Sequence, residues 1–161
     1  MSKFKGGDMI VGLTNLPHYE VTNKNIKLKR AFPGDKEEIL NFVHENFQTN
    51  WTYEVEQSLM QSPGKCFIAT EKGKLLGFAC YDASAKGFFG PIGVLTSERG
   101  KNIGTLLLLR TLESMREYGY GYAIIGWVSE AEQFYRKTVS AEYIKNGEPE
   151  NSVYSNLIFM K

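Results

Sequence analysis

Cysteine, histidine and proline are scarce in this sequence: two, two and five respectively among 161 residues. No run of apolar residues is long enough to cross a membrane. Met9-Ile-Val-Gly-Leu13 follows Lys3 and Lys5, but it is short and directly preceded by Asp8, so no signal peptide is expected. Neither sign of charge prevails. With 19 Lys and Arg against 18 Asp and Glu, the net charge is +1, which gives no global field for nucleic acid or an anionic membrane. There is no internal repeat, no Gly-x-x-x-x-Gly-Lys-Ser/Thr phosphate loop and no dinucleotide fingerprint. The cysteines, Cys66 and Cys80, fall in two runs that read as a hairpin around Lys72-Gly73. That register pairs residue 66 with residue 79 and turns residue 80 to the other face. It predicts no disulfide and a reducing, cytoplasmic setting.

What is present is the composition of a folded protein, 42% hydrophobic and 13% aromatic. The length suits one domain with a full core. Residues 1–25, with a short strand offered by Met9–Leu13 and a loop-like Asn15–Asn25 around Pro17, read as an N-terminal extension packed on a domain spanning 26–161. An arm exchanged with a second subunit is the alternative, and the expected state is monomer or homodimer. Ile26–Phe32 alternates apolar and basic residues as a half-exposed strand does. Asp35-x-x-Glu38 has the form of a capping box opening a helix that buries Ile39, Phe42, Val43 and Phe47. A second helix, Trp51 to Met60, stops at Ser62-Pro63-Gly64. Lys65–Glu71 and Lys74–Asp82 form the hairpin.

The next strand, Phe88–Leu95, contains Gly90-Pro91 and Gly93. Proline cannot donate to a central ladder, so this strand should bulge or part from one neighbour and leave unpaired backbone. It leads into Arg99-Gly-Lys-Asn-Ile-Gly104 and then into a leucine-rich helix ending at Gly119. A strand, a glycine-bearing loop and a helix N-terminus together present backbone N–H groups to an anion, usually a phosphate. Tyr122–Val128 reads as a buried strand and Ala131–Thr138 as a short helix. Ala141–Ile144 and Ser152–Met160 read as the last strands. The sum is a mixed α/β sheet with helices on both faces.

Gly90-Pro-Ile-Gly-Val94, Arg99-Gly-Lys-Asn-Ile-Gly104 and Phe134-Tyr-Arg-Lys137 resemble the GNAT superfamily of N-acetyltransferases, over about residues 26–161. The resemblance implies an acyl-CoA N-acyltransferase fold: a central, mostly antiparallel sheet with one splayed strand pair. It implies acetyl-CoA as acetyl donor and no metal. Pantetheine would lie along Val94 and Leu95. The pyrophosphate would meet Arg99, Gly100, Lys101, Asn102, Ile103, Gly104 and Thr105. Asn102 stands where the family has glycine, although asparagine tolerates the left-handed region. Val128 stands where the family often has asparagine, and Val139-Ser140 replaces Gly-Phe.

By the same resemblance Tyr135 is the general acid, and a main-chain N–H near Val94 meets the oxyanion. A phenol of pKa near 10 keeps its proton at neutral pH yet can protonate a thiolate. The general base is open among Glu54, Asp82, Glu130 and a water chain; His18 and His44 read as solvated. Trp51, Tyr53, Tyr81, Phe88 and Phe89 are candidate walls of the acceptor pocket. The implied reaction is acetyl transfer to a primary amine on a small molecule, with neither nucleic acid nor membrane as partner. A non-catalytic acyl-CoA-binding or interaction domain is the alternative, motivated by Asn102 and Val128.

Overall fold

Alternation along the third strand sorts the core into two layers. Phe67 and Ala69 face one side with Leu76, Ala79, Leu107, Leu108 and Leu112, while Cys66 and Ile68 face the other with Ile39, Val43, Val55 and Phe78. The protein is seen here in a computed structural model that describes residues 6–160. The first five residues of the expected N-terminal extension, with Lys3 and Lys5, and Lys161 lie outside the described residues.

In chain order the elements are β1 (Gly7–Gly12), β2 (Ile26–Arg30), α1 (Lys36–Asn46), α2 (Thr49–Leu59), β3 (Cys66–Glu71) and β4 (Lys74–Tyr81). They continue with β5 (Phe88–Val94), α3 (Ile103–Tyr118), β6 (Tyr122–Val128), α4 (Glu132–Val139) and β7 (Glu142–Tyr143). One sheet runs β2-β3-β4-β5-β6-β1-β7, antiparallel at every pair except β5–β6. Helices α1 and α2 cover one face, and α3 and α4 the other. The mixed α/β architecture with helices on both faces is therefore the one expected. On α3, Leu107, Leu108, Leu112 and Met115 are fully buried. Each is worth roughly 1.5–3 kcal/mol of burial, and Gly119, at φ 120°, ends the helix where the sequence placed its stop.

Four local expectations are corrected. First, the short strand read at Met9–Leu13 forms over Gly7–Gly12, but as an interior strand between β6 and β7 with Met9 and Val11 fully buried, rather than within an extension lying on the surface. Second, β1 takes the free edge of β6, so no edge beside β6 remains for residues 152–160. Their alternating pattern gives short 3₁₀ turns at Val153–Asn156 and Ile158–Met160. Third, Asp35 does not cap α1 with its side chain. Its carboxylate accepts from Phe32 N–H and Lys29 Nζ, both at 2.8 Å, and so closes the preceding turn Pro33–Asp35. The Lys29 hydrogen bond holds the Asp35 carboxyl below its usual range. Fourth, the β3–β4 register shifts between Ala69 and Thr70 and sets Cys66 opposite Cys80. The two thiols are buried cross-strand neighbours on the α1–α2 face, not residues on opposite faces. The bulge supplies the one-residue offset that a simple hairpin count misses.

Candidate active site

The defect foreseen around Gly90-Pro91 occurs in both of its possible forms. Against β4, Tyr81 pairs with Phe89 but Ala79 pairs with Ile92, so β5 carries an extra residue. Against β6, pairing stops after Phe88–Ile124 and Phe89–Ile125, and the two strands part. Leu95 N–H donates to Leu76 O at 2.9 Å, which directs the backbone groups of Leu95 and Gly93 toward β4. By the alternation of an antiparallel ladder, the N–H and C=O groups of Ile92 and Val94 turn toward the gap. Beyond Phe89, no strand among the described residues pairs with that edge of β5.

The loop after β5 delivers the chain to α3. A 3₁₀ turn, Thr96–Glu98, precedes Gly100 at φ 86° and Asn102 at φ 68°. Asn102 is the N-cap residue, in the left-handed region that asparagine tolerates, and its side chain makes no capping bond. The N–H groups of Ile103, Gly104 and Thr105 thus open the helix uncapped by Asn102, and no side chain among the described residues accepts from them. Lys101 Nζ donates to Glu98 at 2.7 Å, and that bond holds the Glu98 carboxyl below its ordinary range. Arg99 is exposed at the rim.

A cavity of about 440 Å³ continues from the parted strands through to the α2 side of the sheet. Tyr135, Phe89, Trp51, Glu54 and Glu130 line it among the residues expected from sequence. Tyr135 is 5% exposed, its ring meets Phe89 edge-on at 6.3 Å, and burial pushes its phenol well above the ordinary value. No hydrogen bond among the described residues engages its hydroxyl. Glu54 on α2 is raised by desolvation, and no described cation pairs with it. Glu130 is exposed at the mouth.

The other candidates lie elsewhere. Asp82 is buried at the β4–β5 corner, where Lys65 Nζ donates at 2.7 Å, Gly87 N–H at 2.8 Å and Tyr120 Oη at 2.9 Å. It does not line the cavity. Tyr81 is in the core with its hydroxyl 3.0 Å from Ser114 Oγ, and Tyr53 is 66% exposed on the outer side of α2. Phe88 packs edge-on against Tyr154 at 5.8 Å.

Trp127, Tyr154, Leu157 and Phe159 also line the cavity, although their segments are expected from sequence only as strands. Tyr154 reaches in from the C-terminal turns and rests on Gly126, where a Cβ would overlap its ring. Burial, then the charges of Glu54 and Asp8, push its phenol up. Gly126 was the available signal, because glycine inside a buried strand marks close approach by another group. Among the described residues there is no cluster suited to a metal ion, and no helix long and apolar enough to cross a membrane.

No curated protein matches the chain. Among solved structures, a GCN5-related N-acetyltransferase from Sphaerobacter thermophilus matches at TM-score 0.67 and 20% identity, covering 84% of this chain and 47% of that one. One from Kribbella flavida matches at 0.64 and 17%, covering 89% and 56%. This chain therefore spans about half the length of these two relatives. A GNAT-family acetyltransferase from Brucella melitensis, solved in complex with acetyl-CoA, matches at 0.53 and 21%, covering 68% and 80%. At these identities the likeness is one of fold. The sequence itself matches the model of the acetyltransferase (GNAT) family over residues 29–139, more than half of its length. This chain, with its parted β5–β6 pair leading into a left-handed loop and α3, belongs to the GNAT acetyltransferase family.

Proposed function

We propose that this protein transfers the acetyl group of acetyl-CoA to the primary amine of a small-molecule acceptor. The observation that carries the reading is the open edge of β5, which runs between two complementary features. At one end lies a helix N-terminus free of side-chain caps, and at the other the buried hydroxyl of Tyr135. The fit to the cofactor rests on chemistry those groups share with it. Amide groups of a pantetheine arm can complete the unpaired edge at Ile92 and Val94 as an added strand would. A pyrophosphate suits the free N–H groups at Ile103–Thr105, where the helix dipole contributes up to about 2 kcal/mol in sheltered geometry. Arg99 flanks that seat, and Lys101 reaches it on leaving Glu98.

Acetyl-CoA supplies the activated acyl group. The N–H of Ile92, which lines the same cavity as Tyr135, faces the carbonyl oxygen on which negative charge develops as the amine forms its C–N bond; Val94, the contact expected from sequence, lies nearer α3 and is left to the pantetheine arm. As the C–S bond breaks, Tyr135 donates its proton to the sulfur and regains one from the nitrogen, so the phenol ends as it began. Its raised pKa keeps it protonated across the neutral range. Of the carboxylates named from sequence, Glu54, which lines the cavity, takes the proton of the incoming ammonium, directly or through water. Asp82, committed to Lys65, Gly87 and Tyr120, takes no part.

The reading is tested by thermal shift followed by thiol release. Ligand at a hundredfold excess over Kd stabilises the native state by about 2.7 kcal/mol. Acetyl-CoA and CoA should raise Tm where ATP does not, and free thiol should appear only when an amine is added. No shift with acetyl-CoA overturns the assignment. A shift with no thiol release on any amine favours a non-catalytic acyl-CoA-binding domain instead.

A further inference from the structure

The charge and shape of the cavity on the α2 side narrow the acceptor. Its lining contains no Lys, Arg or His among the described residues. Among the described residues its carboxylates are Glu54 and Glu130, and Glu130 is exposed at the mouth. One sheltered carboxylate therefore faces a space walled by Trp51, Trp127, Tyr154, Leu157 and Phe159. Trp51 is fixed by stacking on Phe47 at 5.6 Å. Trp127 is fixed by an indole N–H bond to Pro149 O at 3.1 Å, and its backbone N–H donates to Asp8 Oδ1 at 3.0 Å. Tyr154 packs 6.0 Å from Trp127. These rings are held in place before any ligand arrives, which lowers the ordering cost of binding a flat apolar group.

We infer that the acceptor is an arylalkyl monoamine, its ammonium seated on Glu54 and its ring held between Trp51, Trp127 and the C-terminal Tyr154. The inference rests on the acetyl-transfer reading and assigns the acceptor class of the same site. An unpaired, desolvated carboxylate favours a cation, and aromatic faces add attraction for a cation or for a second ring. An acceptor with its own carboxylate or phosphate would face Glu54 and Glu130 with no compensating cation. A polyamine would bring two or three charges to a pocket that shelters one carboxylate. Gln48, Asn50 and Ser129 also line the cavity and can meet hydroxyls, so an aminoglycoside is disfavoured by its several ammonium groups, as a polyamine is. The C-terminal turns are thereby part of the acceptor site, and Gly126 is the position that admits Tyr154 to it.

Two readouts separate this inference from the reaction it rests on. The first is thiol release at saturating acetyl-CoA with 2-phenylethylamine, tryptamine, spermidine, kanamycin and glutamate. The second is calorimetric binding of 2-phenylethylamine to the CoA-loaded protein, which needs no turnover. The arylalkylamines should exceed spermidine and kanamycin by at least about tenfold in kcat/KM, and glutamate by on the order of a hundredfold. Glu54→Gln should weaken phenylethylamine binding with acetyl-CoA affinity unchanged, and Tyr154→Ala should raise its KM at least about fivefold. Higher kcat/KM for spermidine, kanamycin or glutamate overturns the acceptor class while leaving acetyl transfer standing. Phenylethylamine binding that depends on Glu54, without thiol release, upholds the pocket and overturns the reaction. The absence of both binding and turnover with arylalkylamines overturns the inference.

Discussion

Glu54 and Asp82 are both carboxylates close to the cleft in sequence, yet their surroundings are opposite. At the β4–β5 corner, Asp82 receives bonds from Lys65, Gly87 and Tyr120, and its side chain and that of Lys65 are only 4% and 7% exposed. Lys65 lies 3.9 Å from the Tyr118 ring centroid; burial lowers its pKa, but Asp82 outweighs this and the net shift is upward. At the start of the cleft, Glu54 has no described cation and only a Coulombic influence on Tyr154. One carboxylate is used up in holding a loop. The other is left with its charge unmet. A reactive group is recognised by what its neighbours leave undone, and residue type alone cannot reveal that.

The largest effect that would break this contrast is on stability. Asp82→Ala leaves Lys65 buried without its partner and should cost about 3–5 kcal/mol in urea unfolding. The folded fraction should keep its affinity for acetyl-CoA. A cost below about 1 kcal/mol would mean that the corner is not held by this pair.

Glu54→Gln should act the other way round, with a large effect on turnover and a small one on stability. The loss in kcat/KM for the amine is expected to be on the order of a hundredfold. Because burial raises the Glu54 pKa, the native state binds more protons than the unfolded state between the ordinary and the raised value. Stability from this group is therefore lost as pH rises through that window. The Gln variant should be the more stable protein at neutral pH, and its advantage should disappear below the ordinary Glu range. The acid limb of the wild-type kcat/KM profile should lie above the ordinary Glu value and vanish in the variant. An unchanged limb would remove Glu54 from the reaction.

Tyr53→Ala gives the smallest effect and sharpens the comparison within one helix. Tyr53 precedes Glu54 but points outward, 66% exposed, so stability should change by less than about 0.5 kcal/mol and kcat/KM not at all. A substantial loss of activity would mean that α2 presents a different face to the acceptor.

Much of this was legible in the chain itself. Pro91 and Gly93 announced a strand that could not complete its ladder, and Asn102 was a residue able to occupy the left-handed turn it does occupy. The leucine spacing on α3 and the stop at Gly119 needed only helix periodicity and a positive φ. What stayed hidden depended on pairing over long sequence distances. Nothing local in Gly7–Gly12 says that it fills the slot beside β6, and its doing so excludes Ser152–Met160 from that slot. Tyr154 became part of the cleft for the same reason. The Cys66–Cys80 adjacency turned on a single bulge at Ala69/Thr70. Tyr53 and Tyr81 show the complementary limit, since aromatic type did not distinguish a cleft wall from core or surface.

The central claim is that the parted strands bring a bound acyl donor to the hydroxyl of Tyr135. The most direct test is Tyr135→Phe, with kcat from thiol release and acetyl-CoA affinity from calorimetry on the same preparation. The substitution keeps the ring against Phe89 and removes only the oxygen. In this variant kcat should fall about a hundredfold or more, with Kd for acetyl-CoA unchanged within about twofold. An unchanged kcat, or a loss confined to acetyl-CoA binding, would contradict the central claim.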